Sequence, residues 1–438
     1  MTDQTDQETE GTIKASEYLI VQKIDGEQSR IVRFTPKQKI LIEKLKFTAD
    51  SAFGKPYGLF EISNNQCTPM SVDRLIEELQ LQESAVSTST APPTTDPEVV
   101  TPLETSEESR VVIAPSALKL EPEQKRQKLE MDAVLEMKKQ GVSGQEMVAR
   151  LVEGSASFQT RTVFSQSKYI KRKAKKHSDR VLILRPTIRL LAKAYYLKDP
   201  DRLAMLRADQ LALILQMAGV HHGKNVVVFE QTLGLITSAV VERLGGSGGC
   251  VHIHRGAVAQ SIPCLHSMNY NESQLSTFLP VRIKCVLAGK QLPYENNRRQ
   301  NEDGEMEEEK EPRPMDDQDL EALARRNDRL ERERKGIEMI ENGNAHSLII
   351  GSRTVDPISV LELLYQKLAP SASIVIYSPH QNMLISAYDW LSKQNAINLV
   401  LTDQMFRVMQ VLPDRTHPLM AQHVAGGHVL TAIKVVDN

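Results

Sequence analysis

NVVVFEQTLGLITSAVVERLGGSGGCVHIHR, residues 225–255, reads as a strand, a turn, a helix, a glycine-rich turn and a second strand. NVVVFE (225–230) is short, β-branched and apolar throughout, the pattern of a strand buried on both faces of a parallel sheet. LITSAVVERL carries a helix from it to CVHIHR (250–255), which makes a βαβ unit. The alternation continues downstream. VRIKCVL (281–287), HSLIIG (346–351), ASIVIYS (372–378) and NAINLVLT are further strands, PISVLELLYQKL and MLISAYDWLSKQ are helices, and HVLTAIKV closes the chain. Strands alternating with helices predict a parallel sheet covered on both faces, and the last two strands predict an antiparallel hairpin at one edge. The expected class is α/β, a Rossmann domain of the methyltransferase layout over 178–438; a doubly wound domain of another kind is the alternative. Residues 290–336 interrupt it with a highly charged stretch that reads as a solvated or disordered insertion.

Upstream, residues 1–11 are polar and predicted disordered. Residues 12–81 alternate short β-type runs with polar turns: EYLIVQKI and SRIVRF flank an Asp25-Gly26 hairpin signal, and YGLFEIS follows. They predict a small, barrel-like β-rich N-terminal domain. Residues 82–120 open with a Ser, Thr, Pro and Glu-rich run too poor in apolar side chains to fold, and are expected to form a disordered linker. Residues 121–177 read as a helical, basic connecting segment, broken at Gly141-Val142-Ser143-Gly144. The apolar fraction of 40% and charged fraction of 25% are ordinary for a globular chain, and the net charge of −2 confines any nucleic-acid binding to local clusters. The opening MTDQTDQETE argues against a secretory signal, and no apolar run approaches the roughly 20 residues of a bilayer span. Cys67, Cys250, Cys264 and Cys285 form no CxxC pair, which fits a reducing compartment.

In a doubly wound sheet the ligand lies outside the carboxyl ends of the strands. An S-adenosylmethionine site needs a carboxylate ending the first strand, a glycine-rich turn the ligand can approach, and an acid after the second strand. Glu230 supplies the first. An E-x-G-x-G-x-G turn calls for glycine at 232, 234 and 236; here Thr232 and Ile236 flank a lone Gly234, and Leu235 adds bulk. The second strand ends in His254 and Arg255, and the fourth in Gly351-Ser352-Arg353 where an Asp is expected. Three losses at three strand ends predict a degenerate cofactor loop, with neither catalytic nor cofactor-binding residues. GGSGG (245–249) follows a helix and precedes a strand, so it reads as a helix-ending turn rather than a phosphate loop. His221-His222 and His252/His254 lack companions to complete a metal site, so no metal is expected.

SKYIKRKAKKHSDR packs seven cations, Lys168, Lys171, Arg172, Lys173, Lys175, Lys176 and Arg180, into thirteen positions. Such a run neutralises RNA phosphates; a solvated helix face and a nuclear-import signal are the alternatives.

Three stretches carry a family resemblance: SKYIKRKAKKHSDRVLILRPT (167–187), YLKDPDRLAMLRADQLALILQMAG (196–219) and RVMQVLPDRTHPLMAQHVAGGHVL (407–430). In the last, Arg407, Gln410, Leu412-Pro413, Arg415-Thr416-His417-Pro418 and Gly426-Gly427 resemble the C-terminal signature of the non-catalytic subunits of eukaryotic tRNA (adenine-N1)-methyltransferases, which modify adenosine 58. The resemblance spans nearly the whole chain, and no residue is carried over from 256–280. It implies a non-catalytic, tRNA-binding subunit in a two-plus-two heterotetramer with a catalytic paralogue, with S-adenosylmethionine on that partner and a nuclear location. Two other readings stay open at this point, an active S-adenosylmethionine-dependent RNA methyltransferase and a stand-alone RNA-binding protein.

Overall fold

The computed structural model describes residues 11–24, 28–43, 45–70, 129, 131–139, 142, 144–155, 158, 166, 169–170, 172–173, 179–256, 258–259, 262–293, 317–411, 416–420, 422 and 424–435. The expected disorder at 1–10, the Asp25-Gly26 turn and the 82–120 linker lie outside these residues. The chain divides into two units, one of residues 1–16, 21–29 and 34–184, the other of residues 17–20, 30–33 and 185–438.

The N-terminal strands are β1 (Tyr18–Lys23), β2 (Ser29–Arg33), β3 (Lys39–Ile42), β4 (Leu45–Thr48), β5 (Gly58–Ser63) and β6 (Gln66–Pro69). In β3 exposed and buried residues alternate strictly, the signature of a half-buried strand, and Phe34, Phe47 and Phe60 fill the interior. Two helices, α1 (Met131–Lys139) and α2 (Gly144–Glu153), share a small apolar cluster of Met137, Met147 and Leu151. Next comes β7 (Arg180–Leu184), which pairs antiparallel with β5 from Gly58↔Ile183 to Glu61↔Arg180. Here the structure corrects the boundary at 178. RVLIL alternates buried and half-buried side chains, and its partner strand lies more than a hundred residues upstream, where no local pattern can announce it. The strand order is β2-β1-β7-β5-β6, with β3-β4 as a separate hairpin, so among the described residues the barrel-like expectation gives way to an open sheet.

The second unit contains α3 (Ile188–Lys198), α4 (Ala208–Met217), β8 (Asn225–Glu230), α5 (Leu235–Leu244), β9 (Gly249–His254), β10 (Phe278–Arg282), α6 (Asp317–Glu341) and β11 (Ala345–Gly351). It continues through α7 (Pro357–Leu364), β12 (Leu368–Ser378), α8 (Gln381–Lys393), β13 (Ile397–Asp403), the two-residue strands β14 (Met409–Gln410) and β15 (His417–Pro418), and β16 (His428–Ile433). The sheet order is β10-β9-β8-β11-β12-β16-β13, parallel from β10 to β12, with β16 antiparallel to both neighbours. That is the methyltransferase-type Rossmann order, as the alternation predicted. The expected edge hairpin is present: β13 pairs antiparallel with β16, which lies between β12 and β13, so β13 forms that edge.

Two local readings are corrected. The third strand is Phe278–Arg282, and Ile283–Ala288 turns helical until Gly289 (φ 63°) ends it. Second, the C-terminal part of the charged 290–336 stretch is helix rather than loop. In α6, Ile337 and Ile340 join the main core, and Gly336 lies against β10 so closely that a Cβ would come within 2.5 Å of Val281 Cγ2. Buried Glu333 accepts from Arg282 Nε at 2.7 Å and Nη2 at 2.9 Å. The high charge of the stretch hid this face, because the buried carboxylate of Glu333 finds its cation on a different element.

Candidate functional site

The carboxyl ends of β8 and β9 border a cleft of about 400 Å³ whose lining includes Glu230, Leu233, Gly234, His252, His254, Arg255 and Ile262. This is where a doubly wound sheet holds its ligand. The surviving acid is fully engaged inside the protein. Glu230 Oε2 accepts from Thr232 Oγ1 and from Ile236 N at 3.2 Å; Oε1 accepts from Thr237 N at 2.7 Å and from Thr237 Oγ1. A carboxylate has about four acceptor sites, and these four donors fill them. Glu230 thus caps the start of α5 and has no lone pair left for a cofactor. Burial raises its pKa, and the hydrogen bonds from Thr232, Thr237 and Ile236 oppose that rise.

The lone glycine of the loop is also occupied. Gly234 sits at φ 75°, and a Cβ there would lie 2.8 Å from Ile262 Cβ. The close approach that glycine permits is used by Ile262, and Cys264 N donates to Leu233 O at 3.2 Å to fix the segment. Leu235 and Ile236, read as obstructing bulk, are instead buried and do not line the cleft; Leu233 and Ile262 do. A strap closes the next gap. Gln231 Oε1 accepts from Arg353 N and Thr354 N at 2.9 Å each, and its Nε2 donates to Thr354 Oγ1 at 2.9 Å. Ser352, standing where an acid was expected, is buried and donates to Val355 O. Gln231 and Ile262 were missed by the sequence reading. A side-chain amide in a turn carries no positional signal, and Ile262 is contributed by a segment 28 residues beyond the glycine it covers.

The histidines act within the fold. The single hydroxyl proton of Thr237 goes to Glu230, so His252 Nδ1, 2.8 Å from the same oxygen, is the donor to it. His222 Nδ1 lies 2.8 Å from Leu244 O at the end of α5, where Gly245 (φ 59°) supplies the left-handed cap predicted for GGSGG. Among the described residues no group of three or more potential ligands could hold a metal ion. Burial lowers the pKa of His252 to about 4, and burial with the neighbouring His252 lowers that of His254 to about 4. An unfolded histidine takes up its proton near 6.5, so below that value the unfolded chain binds protons that the folded chain refuses. Stability is therefore complete above pH 6.5 and falls as pH drops toward 4, by up to about 1.4 kcal/mol per pH unit per histidine. Denaturation midpoints at pH 7, 6 and 5 should show this loss, and His254→Gln should flatten it; an unaltered slope in that variant refutes the assignment.

Of the seven basic residues, Arg172 is exposed on a helical turn, Lys173 is half-buried with Nζ 5.4 Å from the Tyr169 ring centre, and Arg180 lies in β7. Lys168, Lys171, Lys175 and Lys176 lie outside the described residues. The sequence run is thus divided between a helical turn and a sheet strand, and Arg180 belongs to the β-rich sheet.

A second feature lies at the other side of the Rossmann sheet. After β13 the chain leaves at Gln404 and returns at Gly427, and Arg207 pins both ends of this arm. Its Nη2 donates to Gln404 O at 2.7 Å, its Nη1 to Val424 O at 2.9 Å, and Nε and Nη2 to the two Asp209 oxygens at 2.9 Å each. Gln210 donates to Gly427 O, and the Tyr196 hydroxyl donates to Ala425 O. The paired glycines are explained by contact: a Cβ on Gly426 would collide with the Arg207 guanidinium, and one on Gly427 would lie 2.5 Å from Ser378 O. Between its pinned ends the arm exposes Met405 (82%), Val411 (77%) and Met420 (95%), and edge strand β13, which leads into it, exposes Ile397 and Val400. Leu412, Pro413 and Arg415 of the signature lie outside the described residues.

Three comparisons with known proteins bear on this arrangement. Residues 12–323 match the Gcd10p family. A protein of Mus musculus is 28% identical over 93% of this chain and 86% of its own length. One of Dictyostelium discoideum is 29% identical over 98% of this chain and 80% of its own. Both bear the name tRNA (adenine(58)-N(1))-methyltransferase non-catalytic subunit. Among solved structures, a SAM-dependent O-methyltransferase of Thermotoga maritima aligns over 98% of this chain and 97% of its own, with a TM-score of 0.50 at 9% identity, a likeness of fold alone.

Proposed function

The chain belongs to the Gcd10p family, and on that premise we propose that it is the non-catalytic, tRNA-binding subunit of a tRNA 1-methyladenosine-58 methyltransferase. The observation that carries the non-catalytic reading is Glu230, whose acceptor sites are all taken by its own loop and helix. The paralogous partner holds S-adenosylmethionine and transfers the methyl group, two copies of each chain assemble, and the complex works in the nucleus. The exposed apolar arm and the β13 edge support a protein partner, since an unpaired strand edge with large apolar side chains is a surface that soluble proteins cover.

The test is methyl transfer to unmodified tRNA by this chain, by the partner and by the mixture. Activity is expected from the mixture only; transfer by this chain alone overturns the reading. Glu230→Gln places an amide N–H2 among donors and should lower the melting temperature, yet leave the turnover of the assembled complex unchanged. A large loss of turnover with assembly intact means that Glu230 takes part in the chemistry.

The basic run supports the RNA role. Reversing the charges of Lys171, Arg172, Lys173, Lys175 and Lys176 should weaken tRNA binding and flatten its salt dependence, by roughly one unit of slope for each phosphate no longer neutralised. A slope equal to that of the unaltered chain, measured by filter binding between low and moderate salt, assigns the run to targeting or to a solvated face instead.

A further inference from the structure

The cleft outside β8 and β9 is closed to S-adenosylmethionine but is not filled. Its volume of about 400 Å³ is that of a small-molecule site. Its walls are unequal in character. Phe229, Leu233, Ile253 and Ile262 make it apolar on the inside, while exposed Arg255 and Gly256 stand at its rim. Among the described residues no carboxylate lies within ion-pair distance of Arg255. Among the described residues the buried Nδ1 of His254 has no hydrogen-bond partner. Buried polar atoms are nearly always paired, so an unpaired one lining a cavity marks a place for a ligand's polar edge.

The charge balance selects the ligand. S-adenosylmethionine carries a cationic sulfonium and an ammonium group, and both need acceptors. Glu230, the one carboxylate in the lining, has none to give. What the cleft offers is a cation at the mouth, an imidazole nitrogen without a partner among the described residues, and apolar side chains in its lining. We propose that this cleft receives a single nucleotide, its base against Phe229, Ile253 and Ile262 with an edge on His254, and its phosphate on Arg255. The shared chemistry is a nucleoside monophosphate unit, supplied either by an unstacked residue of a bound RNA or by a free nucleotide. An RNA-modifying assembly must pull bases out of their stack, and a pocket that holds one such base repays part of the unstacking cost. The proposal rests on the reading that the cleft does not take S-adenosylmethionine.

Equilibrium dialysis of the full-length chain against adenosine 5′-monophosphate, adenosine and S-adenosylmethionine tests it. Adenosine monophosphate should bind more tightly than adenosine, and Arg255→Ala should weaken the monophosphate at least tenfold while leaving adenosine unchanged. Arg255 is exposed, so the variant keeps the fold. A five-residue oligoribonucleotide that displaces the monophosphate at lower concentration than the monophosphate itself identifies RNA as the source; displacement only at equal or higher concentration identifies the free nucleotide. No binding of monophosphate at millimolar concentration, or binding indifferent to Arg255→Ala, overturns the proposal and leaves the non-catalytic reading intact. Saturable binding of S-adenosylmethionine in competition with the monophosphate overturns both.

Discussion

Arg207→Ala should release the arm between Gln404 and Gly427 and with it the association of this chain with its catalytic partner. The side chain is 6% exposed and holds one carboxylate and two carbonyl oxygens, at Asp209, Gln404 and Val424. Truncation leaves Asp209 without its cation and the carbonyl oxygens of Gln404 and Val424 without the donor Arg207 supplies. Breaking a buried ion pair on one side costs about 3–5 kcal/mol, and Asp209 is partly exposed, so about 3 kcal/mol is expected. For a unit of this size that lowers the melting temperature by roughly 6–12 °C. The arm itself becomes a protease target. Co-purification of the two chains and time-resolved trypsin digestion measure both effects. Arg207→Lys restores the charge without the planar fork and should recover only part of the loss. Full co-purification of Arg207→Ala, with an unaltered digestion pattern, removes the arm from the assembly surface.

The second large effect is expected at Glu333→Ala. Glu333 is 1% exposed and accepts from three nitrogens of Arg282 (N, Nε and Nη2), while Arg282 Nη2 also donates to Leu292 O and Gln291 Nε2 donates to Glu333 Oε2 at 3.2 Å. Without the carboxylate the buried Arg282 guanidinium loses its Glu333 partner, a cost of about 3–5 kcal/mol. The helix α6 should then detach from β10, with faster amide exchange along residues 330–341 as the readout. The double change Arg282→Met with Glu333→Leu removes both charges and should restore most of the stability, because the cost lies in burying a charge deprived of its carboxylate. If the single and double variants are equally unstable, shape rather than charge holds the helix. The pair also has an acid limb. Burial by itself raises the Glu333 pKa, yet the hydrogen bonds from Arg282 and Gln291 outweigh it and hold the carboxyl below its usual range. A lowered native value means that this stabilisation is present above the ordinary glutamate pKa of about 4.3 and is lost as pH falls through the native one.

The strands from 225 onward, except the third, were legible because each is a short apolar run in which neighbouring residues carry the message: NVVVFE reads directly as a buried strand. The departures from a cofactor loop were legible too, since they needed only the residue types that follow each strand. RVLIL at 180–184 was misassigned for the opposite reason. It is an equally good strand, but whether it joins the sheet before it or the one after it is a question of pairing, and pairing lies outside any local window. Helix α6 was read as solvated because its composition is charged, and composition averages over the one face that touches β10.

Residue type and period by themselves determined the succession of strands and helices, the departures in the cofactor loop, the helix-ending role of GGSGG and the basic run. These follow from backbone propensity and side-chain chemistry, which act over a few residues. Only the tertiary structure decided that Glu230 is spent on its own helix, that Ile262 occupies the space Gly234 leaves, and that Arg207 gathers both ends of the arm. Each of these depends on which distant donor, methyl or carbonyl arrives within a few ångströms. Hydrogen bonds and steric exclusion act only at that range, and the chain reaches it by folding.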